Sequence, residues 1–324
     1  MPIGVMYRCD NPPENLPAFA RLVERLGYDE LWVVEDCFFA GAVSAGAAAA
    51  AVTERLTIGL GIMPAAFRNP AVAAMELATL VRLFPDRILP GFGHGMADWL
   101  RQVGADHPSP LAVLRETVAA VRALLAGETV TTAGRHVRLA DVALRFPPAA
   151  PPPISTGVRG EKSLRLSGEV ADGTILAECA SPAYVRWARE RIDEGRRAAG
   201  RTDSHRLTVY AHFEFDEARS GARREIAGRL LDGRPLPPPD GDLTEEITAL
   251  LKEAGDVESL AAALPERYVD RFAVAGSAEQ CASAIGALGA AGADAVVLIP
   301  SADPQLAVAQ VTLAAEALLP RLRG

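Results

Sequence analysis

Two adjacent carboxylates, Glu35 and Asp36, come directly after the apolar run Trp32–Val34. One of two neighbouring carboxylates often has a raised pKa, which suits a general acid. Two solvated loop residues or helix caps would show the same residue types. The pair becomes a candidate catalytic site if the apolar run is a strand that ends at an active site.

A histidine, His94, lies between Gly93 and Gly95 at the end of another apolar run. The two glycines would let the backbone pack on a flat ring, with His94 as a hydrogen-bond donor or an acid/base. A tight turn with an exposed histidine is the alternative. The other histidines, which show no spacing typical of metal ligands, are His107, His136, His205 and His212. We therefore expect no metal site.

The segment Gly157-Val158-Arg159-Gly160 is a glycine-flanked basic turn that leads into a predicted helix. Free backbone N–H groups and the helix dipole at such a turn would hold a phosphate, and Arg159 would add positive charge. A well-capped helix start would look similar. In barrel enzymes phosphate sites are commonest after strands seven and eight, whereas this turn follows the fifth predicted strand.

The stretch 56–64 is an apolar run that contains Gly59 and Gly61. A strand interior does not need glycines, because they cost backbone entropy and pack nothing. They predict either a close approach to the backbone or an unusual backbone conformation. Two packing glycines in a buried strand are the simpler interpretation.

Eight such apolar, β-branched runs alternate along the chain with segments of helical periodicity. The predicted strands are 3–7, 30–35, 56–64, 87–93, 154–156, 173–177, 206–213 and 295–299. The predicted helices are 14–26, 41–53, 70–84, 110–125, 161–169, 182–199, 277–291 and 304–322, with Ser277 as an N-cap.

This alternation predicts an α/β fold, a (β/α)8 TIM barrel that forms one domain over residues 1–324. We expect a helical insertion at 216–270, between strands seven and eight, and a small hairpin at 129–137. A doubly wound sheet is the alternative, but no Gly-x-Gly-x-x-Gly turn follows the first strand. In a barrel, Glu35, His94 and the Gly157 turn would all lie at the carboxyl ends of strands.

Composition excludes several other classes of protein. A net charge of −8 without a basic cluster argues against nucleic-acid binding. We find no apolar run long enough to span a bilayer and no signal peptide, and the 4 Cys are scattered, so we expect a cytoplasmic enzyme with no membrane partner. A Gly-x-Ser-x-Gly hydrolase elbow is missing, and 3 Trp are few for the cleft of a glycosidase that would use Glu35 or Asp36.

Several motifs, in order and spacing, resemble those of bacterial luciferase-like oxidoreductases, on the branch near the deazaflavin-dependent methylenetetrahydromethanopterin reductases. The similarity covers nearly the whole chain. The motifs that carry it are Trp32-Val33-Val34-Glu35-Asp36, Gly59-Leu60-Gly61-Ile62, Arg68-Asn69-Pro70-Ala71, Gly91-Phe92-Gly93-His94-Gly95, Gly157-Val158-Arg159-Gly160-Glu161-Lys162 and Gly168-Glu169-Val170-Ala171-Asp172-Gly173.

The resemblance implies a homodimeric barrel that binds coenzyme F420, an 8-hydroxy-5-deazaflavin, or alternatively FMN. It implies a cis peptide bond between Gly61 and Ile62 behind the ring, and a cofactor phosphate at the Gly157 turn. The cofactor-binding residues are then Gly61, Ile62, Met63, Gly93, Gly157, Val158, Arg159 and Gly160.

The sequence departs from the reductases on the substrate side of the ring, where their Asp-His pair aligns with Glu35-Asp36. The methanopterin substrate is therefore not expected. We predict hydride transfer between ring C5 and a small organic substrate, with Glu35 on the polar edge of the ring and Asp36 or His94 handling the substrate proton. An FMN-dependent monooxygenase and a non-catalytic flavin-binding protein are the alternatives.

Overall fold

A computed structural model describes residues 1–233 and 238–323 of the chain. Its strands fall close to the predicted ones. In chain order they are β1 (Ile3–Tyr7), β2 (Glu30–Val33), β3 (Thr57–Pro64), β4 (Ile88–Gly93), β5 (Val130–Ala133), β6 (Arg138–Val142), β7 (Ser155–Gly157), β8 (Gly173–Leu176), β9 (Arg206–Glu214), β10 (Ala273–Ala275) and β11 (Ala295–Ile299).

The helices lie between the strands. In chain order they are α1 (Leu16–Arg25), α2 (Ala42–Ala51), α3 (Pro70–Leu83), α4 (Ala97–Gln102), α5 (Pro110–Leu125), α6 (Glu161–Val170), α7 (Pro182–Ala198), α8 (Ser220–Leu231), α9 (Thr244–Glu253), α10 (Val257–Ala263), α11 (Glu266–Phe272), α12 (Ala278–Ala290), α13 (Pro304–Ala317) and α14 (Leu319–Arg323). Two short 3₁₀ helices cover Pro13–Asn15 and Pro238–Leu243.

Eight parallel strands close into a barrel in the order β1-β2-β3-β4-β7-β8-β9-β11, because β11 pairs with β1. The predicted (β/α)8 fold is therefore confirmed, and a doubly wound open sheet is wrong. The short strand β10 adds to the outer part of β9, and β5 and β6 form a separate antiparallel hairpin.

The two glycines of β3 lie against aromatic rings inside the barrel. A Cβ at Gly59 would overlap the indole of Trp32, and one at Gly61 would overlap the hydroxyl of Tyr210. Trp32 is pinned, since its Nε1 donates to Glu30 Oε2 at 2.8 Å. The expected close approach to this backbone therefore comes from side chains of β2 and β9.

Helix termini carry the signals expected of them. Asn69 caps α3 by accepting from the N–H of Ala71 at 2.9 Å, and Pro70 occupies the first helical position. Ser277 is the N-cap of α12 and forms a capping box with Gln280, so the predicted cap is confirmed.

The structure differs from the sequence prediction at four elements. The predicted helix 304–322 is divided in two, since α13 ends at Ala317 and α14 begins at Leu319. The hairpin extends beyond 129–137, since β6 covers Arg138–Val142. The six-residue α4 and the three-residue β10 were not predicted. Periodicity needs more residues than these elements contain, which is why the pattern does not reveal them.

Helices α8 to α11 lie in the segment 216–270 and at its end, between barrel strands β9 and β11. They share a small apolar core of their own, which includes Ile226, Leu260 and Phe272. Within residues 1–233 and 238–323, no helix combines the length and the apolar character needed to cross a bilayer.

Candidate active site

A cavity of about 710 Å³ opens at the carboxyl ends of the barrel strands. This is the end of a TIM barrel that carries active sites. The cavity has an apolar floor, formed by Met6, Val34, Gly61, Ile62, Ile175 and Ile299. Its size and its apolar floor suit an organic ligand with a flat ring.

The predicted cis peptide bond between Gly61 and Ile62 is present. The register between β3 and β4 shifts between Leu60 and Met63, so the strand bulges there. Ile62 packs over two neighbouring strand ends, because a Cβ at Gly93 or Gly157 would overlap its side chain. These two glycines let Ile62 lie flat at the base of the cavity.

Five of the eight predicted cofactor-binding residues line the cavity. They are Gly61, Ile62, Gly157, Val158 and Arg159.

The remaining three do not line it. Met63 is 1% exposed and points into the main apolar core, and Gly93 is covered by Ile62. Gly160 is the N-cap of α6, where an added Cβ would meet no atom within 4 Å. Met63 therefore does not line the cavity, because side chains alternate along a strand and the residue after the inward-facing Ile62 faces away. Contact of the cofactor with Gly93 or with the backbone of Gly160 stays a prediction.

The turn from Gly157 to Gly160 is fixed by hydrogen bonds on both sides. Arg159 donates to the carbonyl oxygen of Glu178, and its guanidinium lies 3.8 Å from the Glu178 carboxylate. The hydroxyl of Tyr184 donates to the carbonyl oxygen of Arg159 at 2.8 Å. No side chain caps the start of α6 at Gly160. Such a helix start can accept an anion.

Glu35 is held by the protein itself. Arg68 donates to both of its oxygens, at 2.5 and 2.7 Å, and the N–H of Ala42 donates to Oε2 at 2.9 Å. The bonds with Glu35 raise the pKa of Arg68, so this guanidinium keeps its charge. Glu35 thus joins the end of β2 to the N-terminus of α2 and to the loop before α3.

Asp36 lines the same cavity and is exposed. The thiol of Cys9, at the end of β1, donates to Asp36 Oδ2 over 3.4 Å. Burial, and next the charge of Asp36, raise the pKa of Cys9 to about 12, so this thiol stays protonated at neutral pH. The two adjacent carboxylates therefore differ in burial, since Glu35 is buried and Asp36 is exposed at the cavity.

His94 lines the cavity beside the Gly157 turn. Its Nε2 is 3.1 Å from the hydroxyl of Ser163, in the first turn of α6. Burial lowers the pKa of His94, which favours the neutral imidazole. His94 therefore links the end of β4 to the helix that follows the predicted phosphate turn.

Other polar residues of the cavity were given no role in the sequence prediction. His212 ends the inward-facing part of β9, Arg8 follows β1, and α8 supplies Glu225 and Arg229. Arg8 Nη1 donates to Glu225 Oε1 at 2.8 Å. The strand ends at Arg8 and His212 could have been read from the barrel prediction, but nothing in the pattern places α8 over them.

Side chains of the types that bind metal ions are scattered over the described part of the chain. No group of three or more His, Cys, Asp or Glu side chains comes together there in a way that could hold a metal ion. The 4 cysteines are all free thiols.

Comparisons with known proteins agree with this geometry. The 5,10-methylenetetrahydromethanopterin reductase of Archaeoglobus fulgidus is 26% identical over 92% of this chain and 92% of its own. The F420-dependent glucose-6-phosphate dehydrogenase of Beutenbergia cavernae is 29% identical over 96% of this chain and 94% of its own. The solved structure of the coenzyme F420-dependent tetrahydromethanopterin reductase from Methanopyrus kandleri superposes with a TM-score of 0.85, at 21% identity and over 99% of both chains.

The family described as luciferase-like monooxygenase matches residues 1–295, nearly the whole chain. That match, together with a barrel whose cavity lies at the expected end, decides the classification. The chain belongs to the luciferase-like monooxygenase family.

Proposed function

We propose that this chain is an F420-dependent oxidoreductase that transfers a hydride between the deazaflavin C5 and a small organic substrate. The chain is an enzyme of the oxidoreductase class, as its family and its relatives indicate. The observation that carries the choice of cofactor is the apolar floor around Ile62, which leads to the Gly157 turn. Relatives named for F420 support the same choice.

The residues of the cavity fit this cofactor. A flat ring would rest on Ile62 and Gly61, and the N–H groups at the start of α6 would hold its phosphate with Arg159 nearby. F420, when bound, carries the hydride at ring C5. The protein supplies orientation and excludes water at the reacting face.

The carboxylates and His94 have separate roles in this proposal. Glu35 is a positioning residue, because it holds Arg68 and the start of α2, and this role replaces the predicted contact with the ring edge. His94 positions the start of α6 through Ser163. Asp36, which is exposed in the cavity, handles the substrate proton.

Titration with F420 and with FMN, followed by absorbance and fluorescence, tests the cofactor. We expect saturable F420 binding. Tight FMN binding without F420 binding would overturn the proposal and favour an FMN-dependent monooxygenase, which the name of the family supports as the second candidate.

Substitution of Asp36 by Asn tests the assigned role. General acid–base groups contribute roughly 10²–10⁴-fold to rate, so Asp36→Asn should lower turnover by about that factor and leave the Kd for F420 within about threefold. Asp98→Asn is the control, since Asp98 is exposed and pairs with Arg101 on α4. Equal turnover in both variants would remove Asp36 from the reaction.

We also propose a homodimer that forms through α3. Val72, Met75 and Leu83 are 47%, 59% and 65% exposed on this helix, and their spacing places them on one side. Light scattering should give about twice the chain mass of 34.2 kDa, and Met75→Glu should shift it toward the monomer. A wild-type mass of one chain would exclude the dimer.

The free cysteines fit a cytoplasmic location, which we propose as well.

A further inference from the structure

The imidazole of His212 is buried at the cavity without a hydrogen-bond partner. His212 is 6% exposed, and among the described residues neither Nδ1 nor Nε2 has a partner within hydrogen-bond distance. The Oε2 atom of Glu225 lies 3.9 Å from its Nδ1, which is too far for a hydrogen bond. Buried polar groups are nearly always hydrogen-bonded, so this side chain calls for a partner that the protein does not supply.

The groups that face His212 keep it neutral. Burial lowers its pKa, Glu225 and Glu178 partly oppose that effect, and Arg8 and Arg159 add to it. The two arginines are themselves engaged, since Arg8 binds Asp10 and Glu225, and Arg159 binds the main chain of Glu178. A neutral imidazole offers one donor and one acceptor, which match a hydroxyl or a carbonyl group.

The charge of the cavity disfavours an anion at this end. Three arginines line the cavity against six carboxylates, one of which, Glu35, is paired with Arg68. The carboxylates are Asp10, Glu35, Asp36, Glu178, Glu225 and Asp232. An anionic group beside His212 would approach Glu225 and Glu178, and like charges at close range are unfavourable.

We propose that His212 is the substrate-binding residue of this enzyme and that it recognises an uncharged hydroxyl or carbonyl group. The inference relies on the proposed function for the kind of reaction, but the binding site itself is defined by His212, Glu225 and the cavity. It makes the substrate a neutral alcohol or ketone at this end and excludes a phosphate ester there.

NMR of protein labelled with ¹⁵N at histidine tests the proposal directly. Substitutions of His205 and His212 by Gln assign the two buried imidazoles. His205 is a matched control, because it is 7% exposed and directly precedes β9, the strand that carries His212. It differs in that it bonds to Thr174 and lies outside the cavity. The probes are cyclohexanol, cyclohexanone and glucose 6-phosphate.

We expect cyclohexanol or cyclohexanone to shift the ring ¹⁵N signals of His212 and to leave those of His205 unchanged. His212→Leu should weaken the binding of the active probe by about tenfold, the value of one hydrogen bond. His212→Gln should restore part of it. If the Leu variant does not fold, the wild-type shifts alone decide.

Two results would overturn the proposal. Signals of His212 that no uncharged probe moves would mean that a buried water satisfies the ring. A shift by glucose 6-phosphate at lower concentration than the alcohol would mean that the site binds an anion. F420 titration separates the two proposals, since a chain that binds cyclohexanol at His212 but not F420 would refute only the cofactor.

Discussion

Strand β9 joins two buried histidines that differ in their surroundings. His205 precedes the first residue of β9, and its Nε2 lies 2.8 Å from Thr174 Oγ1. His212 lies near the other end, where its side chain lines the cavity and both ring nitrogens are buried without a partner among the described residues. The two side chains are almost equally buried, at 7% and 6% exposure.

The difference shows how the two ends of the barrel are used. At the amino-terminal end, the bond to His205 continues through buried hydroxyls of Thr174, Ser167 and Thr156 at 2.6 Å each. Such a network holds strands and α6 together. At the carboxyl end both ring nitrogens of His212 lack a partner within the described part of the chain, whereas at the amino-terminal end only Nδ1 of His205 does. This difference fits the division of a TIM barrel into a stability face and a catalytic face.

One ion pair at the catalytic end has a structural role, and breaking it should have the largest effect on stability. Arg68 and Glu35 lie at the catalytic end, yet their side chains are only 21% and 9% exposed. Arg68→Met would leave a buried carboxylate without its cation. We expect the free energy of unfolding in urea at pH 7 to fall by about 3–5 kcal/mol.

Arg101→Met is the matched control for this variant. Arg101 pairs with Asp98, but both side chains are mostly exposed, at 65% and 75%. Its removal should change stability by less than about 1 kcal/mol. If the two variants lose the same small amount, the Arg68 pair is not structural and Glu35 is open to a direct catalytic role.

The packing inside the barrel, between its two ends, gives the next largest effect. A methyl group at Gly59 would overlap the Trp32 ring, which cannot move freely because Glu30 holds its Nε1. We expect Gly59→Ala to lower the free energy of unfolding by about 3 kcal/mol, at the upper end for overpacking. It should also disturb the floor at Gly61.

Gly286→Ala provides a control of opposite sign. Gly286 lies within α12 and is exposed, and an added Cβ meets no atom within 4 Å. Alanine is preferred to glycine inside a helix, so stability should rise by about 0.5–1 kcal/mol. Destabilisation by both variants would mean that glycine content, and not the contact with Trp32, sets the cost.

The sequence predicts the elements well where local signals are strong. Strand β1 and helix α5 have the predicted bounds, because an apolar run or a proline start defines them within a few residues. The glycines of β3 also indicated a close approach to the backbone. Their partners, Trp32 and Tyr210, come from distant strands, so only the folded chain shows what approaches.

The candidate site was predicted less completely, because its geometry depends on long-range placement. The predicted carboxylates Glu35 and Asp36 both line the cavity. They differ because Arg68, which lies 33 residues further along the chain, binds Glu35. His212 was visible as a strand end. Its missing partner and its neighbour Glu225 follow from the packing of α8, for which no local signal exists.

The last prediction concerns the pH dependence of stability, which depends on His205 at the amino-terminal end of the barrel. Burial, and next the charge of Arg189, lower the pKa of His205 to about 4 in the folded protein, against 6.5 for an ordinary imidazole. The unfolded chain therefore binds this proton first as the pH falls. The stabilisation by neutral His205 is complete above about pH 6.5 and is lost as the pH falls toward 4.

We expect His205 to account for a loss of about 2 kcal/mol in the free energy of unfolding between pH 7 and pH 5. His205→Gln should be less stable at pH 7, and its difference from the wild type should shrink by that amount at pH 5. Urea unfolding of both proteins at pH 7, 6 and 5 measures this difference. The carboxylates titrate in both proteins, so their contribution cancels. Parallel curves would show that the buried network at the amino-terminal end tolerates a charged imidazole, and the contrast with His212 would then be one of ligand access alone.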